Sequence, residues 1–180
     1  TVTQGPVLEK AAVTFSKVQG DSLAPSALTD KNPDIIGQSF RALNVSMIVH
    51  PNNPHVPVIH ANIRFFQTLG TPSHWWFGSA MDLNPCYGYV EDCTHWHTVC
   101  AKACAPFGKE LYSALKKACD DYFYLPHRQE HRGIGGLWLE YHQDDSIMSS
   151  FALIRAIANH VMPGYSPIMA RRSAMPFTPE

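Results

Sequence analysis

Residues 56–66 are apolar except at positions 60, 62 and 64, where every second residue is polar. The segment is rich in Val, Ile and Phe and follows a turn cluster, a pattern that predicts a β-strand. Side chains alternate across a strand, so His60, Asn62 and Arg64 share one face and the apolar residues share the other. Arginine pairs carboxylates and the other two hydrogen-bond nearby groups, so this row suits an acidic ligand. An ordinary half-exposed strand would show the same alternation.

The preceding segment, residues 43–50, is also a predicted strand, and its Ser46 and His50 lie on one face. Residues 51–55 form a turn cluster with two prolines and two asparagines, too long for a two-residue hairpin turn. The two strands are therefore predicted to form a hairpin with a longer loop. In that hairpin His50 is placed to join the site of the second strand.

Asp82 and His97 are further candidates, and each has an ordinary alternative. Asp82 follows a short aromatic strand at 75–77. A carboxylate beside aromatic rings would be partly desolvated and poised to accept a proton, or it could cap the turn. His97 lies on the apolar face of a helix predicted at 91–104, where a lone histidine is usually a satisfied core residue. His95 lies about 200° around that helix from His97, which weakens a zinc site formed by the pair.

Two basic pairs, His127-Arg128 and His131-Arg132, lie between a predicted helix and a glycine-rich loop at 133–136. These cations suit carboxylate groups of a ligand, or they compensate the dipole of the helix that precedes them. The spacing of the glycines does not match a dinucleotide-binding fingerprint.

The chain has 180 residues, of which 45% are hydrophobic and 16% charged, and its net charge is −1 with neutral histidines. This composition is typical of a globular domain and provides no basic field for nucleic acid. No apolar run approaches the roughly 20 residues of a transmembrane segment. The five cysteines lack disulfide-framework spacing, so we expect free, mostly buried thiols in a reducing compartment such as the cytoplasm.

The predicted strands come in neighbouring pairs and are followed mainly by helices. This order favours an α+β domain with an antiparallel sheet over a doubly wound parallel sheet. Further strands are predicted around residues 13–15, at an edge, and at 137–141, and helices at 91–104, 109–125 and 146–162, the last ended by Pro163-Gly164. The whole chain, residues 1–180, is predicted to be one domain.

Four long motifs, in the same order along the chain, resemble those of the oxygen-dependent coproporphyrinogen III oxidase family. They are SMIVHPNNPHVPVIHANIRFF at 46–66, WWFGSAMDLNP at 75–85, EDCTHWH at 91–97 and CDDYFYLPHRQEHRGIGGL at 119–137, with a weaker match of PGYSPIMARR at 163–172. The resemblance implies an antiparallel β-sheet flanked by α-helices on both faces, assembled as a homodimer. It also implies oxidative decarboxylation of coproporphyrinogen III to protoporphyrinogen IX in haem biosynthesis, with dioxygen as co-substrate and no organic cofactor or redox metal.

The resemblance carries over to individual residues. His60 matches the proposed proton donor of the family, and Asp82 matches an aspartate thought to contact the pyrrole nitrogens. Ser46 and the run Asn62-Ile63-Arg64 match positions assigned to substrate. Arg132 is a further candidate for holding a propionate. The four histidines noted in the family, also interpreted as ligands of a divalent metal, match His50, His60, His97 and His127.

The chain departs from the family pattern in three places. Residues 78–80 are Gly-Ser-Ala instead of three glycines, Asn84 replaces a threonine, and residues 137–141 replace a run of aromatic and aspartate residues. Family members also continue beyond Glu180 into an arginine-rich strand region and a glycine-rich loop, so the chain is expected to lack that C-terminal part.

Two other functions therefore stay open: a non-catalytic tetrapyrrole-binding protein and a histidine-ligated, metal-dependent hydrolase. Relatives occur in the bacterial cytoplasm and in the mitochondrial intermembrane space of animals. The free cysteines favour the cytoplasm, and the intermembrane space is the alternative.

Overall fold

The computed structural model describes residues 1–23 and 33–178. The strands are Val2–Thr3 (β1), Leu8–Gly20 (β2), Phe40–Pro51 (β3), Val58–Thr68 (β4), Trp75–Asn84 (β5), Tyr124–Leu125 (β6), Glu130–His131 (β7) and Gly135–His142 (β8). The α-helices are Val90–Cys104 (α1), Leu111–Tyr122 (α2) and Ile147–Arg172 (α3), and short 3-10 helices span Pro33–Ile35 and Ala105–Phe107. Six strands form one antiparallel sheet in the order β1-β2-β3-β4-β5-β8, and β6 pairs with β7. The predicted α+β class with an antiparallel sheet is confirmed.

Strand pairing divides the sheet into an apolar face and a polar face, because directly opposite residues project to the same side. Ile59 on β4 lies opposite Leu83 on β5, and both side chains are at most 1% exposed. With Met81 and Leu137 they join the main hydrophobic core, to which α1 and α3 contribute. The alternate residues of the same strands, including Asp82, therefore project to the other face.

The helices cover mainly the apolar face. α1 and α3 pack against each other, α3 packs on β4 and β5, and the Trp96 indole of α1 donates a hydrogen bond to the Gly135 carbonyl at 3.0 Å. α2 runs along β8 and reaches the polar face, where the Tyr122 and Trp138 rings stack at 3.6 Å. Within the described ranges the helices make no comparable packing with β2 or β3. None of the helices described is long and apolar enough to cross a bilayer.

The third helix is longer than the sequence predicts, because it continues through Pro163 and Pro167. A proline has no N–H, so Pro167 leaves the carbonyl of Pro163 without its helical donor. The His95 ring nitrogen Nε2 lies 3.3 Å from that carbonyl and 3.1 Å from the carbonyl of Gly164, and donates in place of the missing group. Burial of Tyr165 in the following turn adds apolar packing, and the helix therefore passes its predicted end.

Strand β5 is also longer than predicted. The aromatic residues begin a strand of ten residues that extends to Asn84. The small residues at 78–80 are typical of a turn, but here their backbone pairs with β4 on one side and β8 on the other. Asp82 therefore lies within the sheet, and the expectation that it follows or caps a turn is wrong.

All five cysteines are free thiols, and Cys100, Cys104 and Cys119 are buried, as the sequence predicts. Burial raises the pKa of Cys104 to about 11 and that of Cys119 to about 12. These thiols stay protonated at neutral pH and pack as small apolar groups.

An ion-pair network joins the start of α1 to the end of α3. Asp92 accepts hydrogen bonds from Arg171 and from Arg172, whose Nε lies 2.7 Å away, and Arg172 also donates to Glu91. The Asp92 and Arg172 side chains are 7% and 8% exposed. The Arg172 guanidinium also stacks over the Tyr89 ring at 3.6 Å. Removing one partner of a buried ion pair leaves the other charge buried with less compensation, and this lowers the free energy of unfolding.

Replacing Arg172 with Leu should therefore lower the free energy of unfolding by about 3 kcal/mol, measured by denaturant titration followed by circular dichroism. Lys117→Leu is the control, because Lys117 and its partner Asp121 are 75% and 63% exposed. We expect the control to lose less than about 1 kcal/mol. Equal losses in the two variants would contradict the assignment of the network as a buried tie between the helices.

Candidate active site

The polar face of the sheet carries a row of side chains centred on Asp82. Asp82 lies directly opposite His60 on β4 and Gly136 on β8, and Ile48 on β3 lies on the far side of His60. A Cβ atom at position 136 would clash with the carbonyl oxygen of Met81. Glycine there lets β8 pair closely with β5 and brings the residues just before β8 next to Asp82.

The Asp82 carboxylate is buried, with its side chain 1% exposed, and three donors converge on its Oδ2 atom. The distances to Oδ2 are 2.7 Å from Asn84 Nδ2, 3.0 Å from Arg132 Nη2 and 3.3 Å from His60 Nδ1. A buried charge is stable only when it is paired and hydrogen-bonded. These three donors, drawn from β4, β5 and the segment before β8, supply that compensation.

The surroundings of Asp82 hold it in the ionised form. Burial by itself would raise the pKa of this carboxyl. Hydrogen bonds from His60 and Asn84, with the positive charges of His60 and Arg132, outweigh burial and lower the pKa below its ordinary value of 3.8. A carboxylate of lowered pKa is a weak proton acceptor. Asp82 is therefore suited to orienting and stabilising a neighbouring group rather than to removing a proton itself, in contrast to the sequence-based hypothesis.

His60 connects the buried carboxylate to the open side of the sheet. Its side chain is 32% exposed. Because an ionised carboxylate only accepts hydrogen bonds, Nδ1 is the nitrogen that carries the proton and donates to Asp82. In the neutral form of the imidazole, the lone pair is then on Nε2. The His50 ring lies 6.5 Å from the His60 ring between centroids, so the structure brings these two histidines together as the strand pattern predicts.

A cavity of about 300 Å³ opens over this row of side chains. Its lining includes Ser46, His60, Asn62, Phe123, Arg132 and Trp138. The guanidinium carbon of Arg132 lies 3.7 Å from the centroid of the Phe123 ring, which fixes the plane of the cation. One side of the cavity is thus basic and aromatic, and its floor holds the Asp82 and His60 pair.

Arg64 and Asn62 extend the polar face along β4. Arg64 is exposed, and among the residues described no carboxylate lies within ion-pair distance of it. Asn62 donates a hydrogen bond to Asn44 Oδ1 at 2.6 Å, which orients its amide on the sheet surface. Ile63 lies opposite Ser79 on the apolar face, so only its backbone can contribute to a site on the polar face.

The other two predicted histidines lie elsewhere. His97 on α1 is half-buried, and its Nε2 donates to the carbonyl of Ile134 at 3.0 Å. Burial, together with the nearby Lys116 charge, lowers the pKa of His97, so its ring is neutral. His127 is exposed in the turn between β6 and β7. Across residues 1–23 and 33–178 no three His, Cys, Asp or Glu side chains are grouped to hold a metal, so the four histidines do not form one ligand set.

Among the contributors to the site, Asn84, Phe123 and Asn44 were not singled out for it from the sequence. Asn84 appeared only as a departure from a family motif, Phe123 lay in a predicted helix, and Asn44 lay in a predicted strand. Alternation along β5 would have indicated Asn84, because it lies two residues from Asp82 on the same face. Phe123 carries no such signal, since its position depends on how α2 ends against β8.

The comparison with protein families agrees with this geometry. The family model described as coproporphyrinogen III oxidase matches residues 1–180. The chain belongs to the coproporphyrinogen III oxidase family. Membership assigns it to porphyrin biosynthesis, with coproporphyrinogen III oxidase activity and coproporphyrinogen III as substrate.

The departures from the coproporphyrinogen III oxidase pattern fall largely outside the cavity. Ser79 is 3% exposed and pairs with Ile63 on the apolar face, away from the cavity, whereas Ala80 adds only a methyl group to the cavity lining. Leu137 lies in the core, and Trp138 provides an aromatic wall. Replacement of the family threonine by Asn84 is the departure that touches Asp82 directly.

The lowered pKa of Asp82 predicts a specific loss of stability in acid. The folded pKa lies below the ordinary value of 3.8, so the stabilisation is fully present above that value and is lost as the pH falls through the folded pKa. Asp82→Asn cannot titrate and should flatten the decline in unfolding free energy between about pH 5 and pH 3, measured by urea titration at each pH. Asp121→Asn, at an exposed site, should keep the wild-type slope. An unchanged slope in Asp82→Asn would show that the carboxylate is not stabilised in the fold.

Proposed function

We propose that the protein catalyses oxygen-dependent oxidative decarboxylation of coproporphyrinogen III to protoporphyrinogen IX. The observation that carries the proposal is the convergence of His60, Asn84 and Arg132 on the buried Asp82 at the floor of a basic, aromatic-lined cavity. Family membership supplies the substrate. The choice of dioxygen as the electron acceptor rests on the resemblance of the four sequence motifs to oxygen-dependent members.

The substrate carries propionate groups, and the cations of the polar face are placed to bind them. Arg132 lies beside the Asp82 and His60 pair, so a propionate bound there would have its methylene groups over the reacting centre. Arg64 lies four residues from His60 along β4, a distance of about 13 Å, and would hold a carboxylate at the far side of the macrocycle. Ser46 and Asn62 lie between these cations and offer hydrogen bonds to the ring and its substituents.

The chemistry for each propionate balances with dioxygen as the only oxidant. The bond to the carboxylate carbon and one C–H bond of the methylene next to the ring break, a vinyl C=C bond forms, and carbon dioxide leaves. Dioxygen takes two electrons and two protons and becomes hydrogen peroxide. One proton comes from the broken C–H bond, and the other comes from solvent by way of His60.

In this proposal His60 handles the proton and Asp82 holds His60 in place. The free Nε2 of His60 accepts the pyrrole N–H proton, which makes the ring electron-rich enough to react with dioxygen, and later returns it. The ionised Asp82 orients the imidazole through Nδ1 and stabilises the imidazolium that forms. Because Asp82 is negatively charged, the floor of the cavity favours binding of the pyrrole N–H groups of the substrate and disfavours binding of its carboxylates.

Turnover by chelator-treated protein tests the proposal. Coproporphyrinogen III is mixed with the protein without oxygen, air is admitted, and protoporphyrin fluorescence is followed after oxidation of the product. We expect product only after air is admitted, and no product from His60→Gln or Asp82→Ala, the latter with a modest loss of binding. His127→Gln, at an exposed turn outside the cavity, is the control and should keep its activity.

Three outcomes would overturn the proposal in distinct ways. Substrate binding without oxygen consumption would identify a tetrapyrrole-binding protein, and recovery of activity only with added divalent metal would identify a metal-dependent enzyme. Wild-type turnover in Asp82→Ala would remove this carboxylate from the mechanism.

We further propose a homodimer and a cytoplasmic location, with the mitochondrial intermembrane space as the alternative. β1 pairs with only two residues of β2. Val13 and Phe15 lie on the apolar face of β2 and are 48% and 68% exposed, which favours association through this end of the sheet. Sedimentation velocity of the purified chain measures the assembly. The five free thiols are the observation that favours the cytoplasm.

A further inference from the structure

Asn84 lies at the end of β5, two residues beyond Asp82, and the proposed reaction gives it no role beyond that of a donor to Asp82. Alternation along the strand brings its side chain to the same face as Asp82. Its Nδ2 atom donates to Asp82 Oδ2 at 2.7 Å. The same atom lies 3.2 Å from His60 Nδ1, where two donors face each other without a hydrogen bond when Nδ1 carries the proton. The Asn84 contact is the shortest of the three contacts to Oδ2, and it is made by an amide, which carries no charge in either protonation state of His60.

The orientation of the Asn84 amide is fixed by its neighbours. Because Asp82 is ionised and only accepts, the amide must turn its NH₂ group toward the carboxylate. Its Oδ1 atom is buried and has no hydrogen-bond partner among the described residues. A Cβ atom at position 133 would lie 2.8 Å from that oxygen, so Gly133, with φ +65°, leaves the space that the amide occupies.

In the proposed reaction Arg132 contacts both Asp82 and the substrate. Asn84 matters because, of these two groups, it donates to Asp82 alone. In the structure the guanidinium donates to Asp82. Under the proposed function the same cation binds a propionate of the substrate, which weakens its hold on Asp82. The Asn84 amide carries no charge that a propionate would attract, so it keeps Asp82 Oδ2 in place when Arg132 turns to the substrate.

We propose that Asn84 is a positioning residue that fixes the Asp82 carboxylate and thereby keeps the His60 proton on Nδ1. A fixed Oδ2 acceptor favours the Nδ1–H tautomer, which leaves the Nε2 lone pair facing the cavity. Without the amide the carboxylate is free to rotate toward Arg132 and away from His60. The imidazole then populates the other tautomer, in which Nε2 carries the proton and cannot accept one. The inference rests on the proposed function for its effect on turnover, but not for its effect on the tautomer.

The test compares Asn84→Ala with Asn84→Thr, which keeps a side-chain donor, and with Asn52→Ala as a control in the β3–β4 loop, where Asn52 bonds the carbonyls of Gly5 and Pro6. Ring ¹⁵N chemical shifts of His60, measured without substrate, report which nitrogen carries the proton. We expect Asn84→Ala to lose the predominance of the Nδ1–H form and to lower kcat by about 10-fold at unchanged KM. Asn84→Thr should recover part of both, and Asn52→Ala should match the wild type.

The two readouts separate the failure of this inference from the failure of the proposed function. An unchanged His60 tautomer in a folded Asn84→Ala variant, or a larger share of its Nδ1–H form, overturns the positioning role, whatever the turnover. An equal loss of kcat in Asn84→Ala and Asn84→Thr, with the tautomer unchanged in both, assigns Asn84 a merely structural role. A wild-type protein without turnover overturns the proposed function, while a tautomer shift in Asn84→Ala still supports the positioning role.

Discussion

The buried charge of Asp82 is the constraint on which the rest of the site depends. A carboxylate in the interior of a sheet is costly unless donors meet it, and all three donors here come from different parts of the chain. His60 requires the β4–β5 register, Asn84 requires β5 to continue past the small residues at 78–80, and Arg132 requires the segment before β8 to run close to β5. A slip of one residue in either pairing would turn one member of the cluster to the apolar face.

The helices contribute to this arrangement from the opposite side of the sheet. Trp96 and His97, neighbours on α1, donate to the carbonyls of Gly135 and Ile134 at 3.0 Å each. These contacts anchor the segment that carries Arg132 and leads into β8. The function of His97 that follows from its contacts is structural, since a neutral ring bonded to a backbone carbonyl holds a loop without facing the cavity. α3 in turn holds α1 through the ion pairs of Arg172.

The sequence predicts the hairpin of β3 and β4, and with it the shared face of His60, Asn62 and Arg64, because alternation over a long strand is a strong local signal. The prediction from sequence fails where tertiary contacts override the local pattern. Small residues before Asp82 resemble a turn, yet two neighbouring strands satisfy their backbone groups. Pro163 resembles a helix end, yet His95 compensates a carbonyl that lacks its donor. Convergence on Asp82 depends on long-range pairing, which no local pattern contains.

In the proposed reaction, the Asp82 carboxylate and a propionate of the substrate compete for Arg132. In the structure this cation helps to stabilise a buried carboxylate, and in the proposed reaction it would also hold the carboxylate that leaves as carbon dioxide. One cation can serve both only if Asp82 keeps enough other donors when the substrate binds. An uncharged amide at position 84 meets that need without drawing the propionate away from Arg132, and a second cation at the same place would not. Under this proposal, the uncharged side chain at position 84 allows Arg132 to bind the substrate while Asp82 still orients His60.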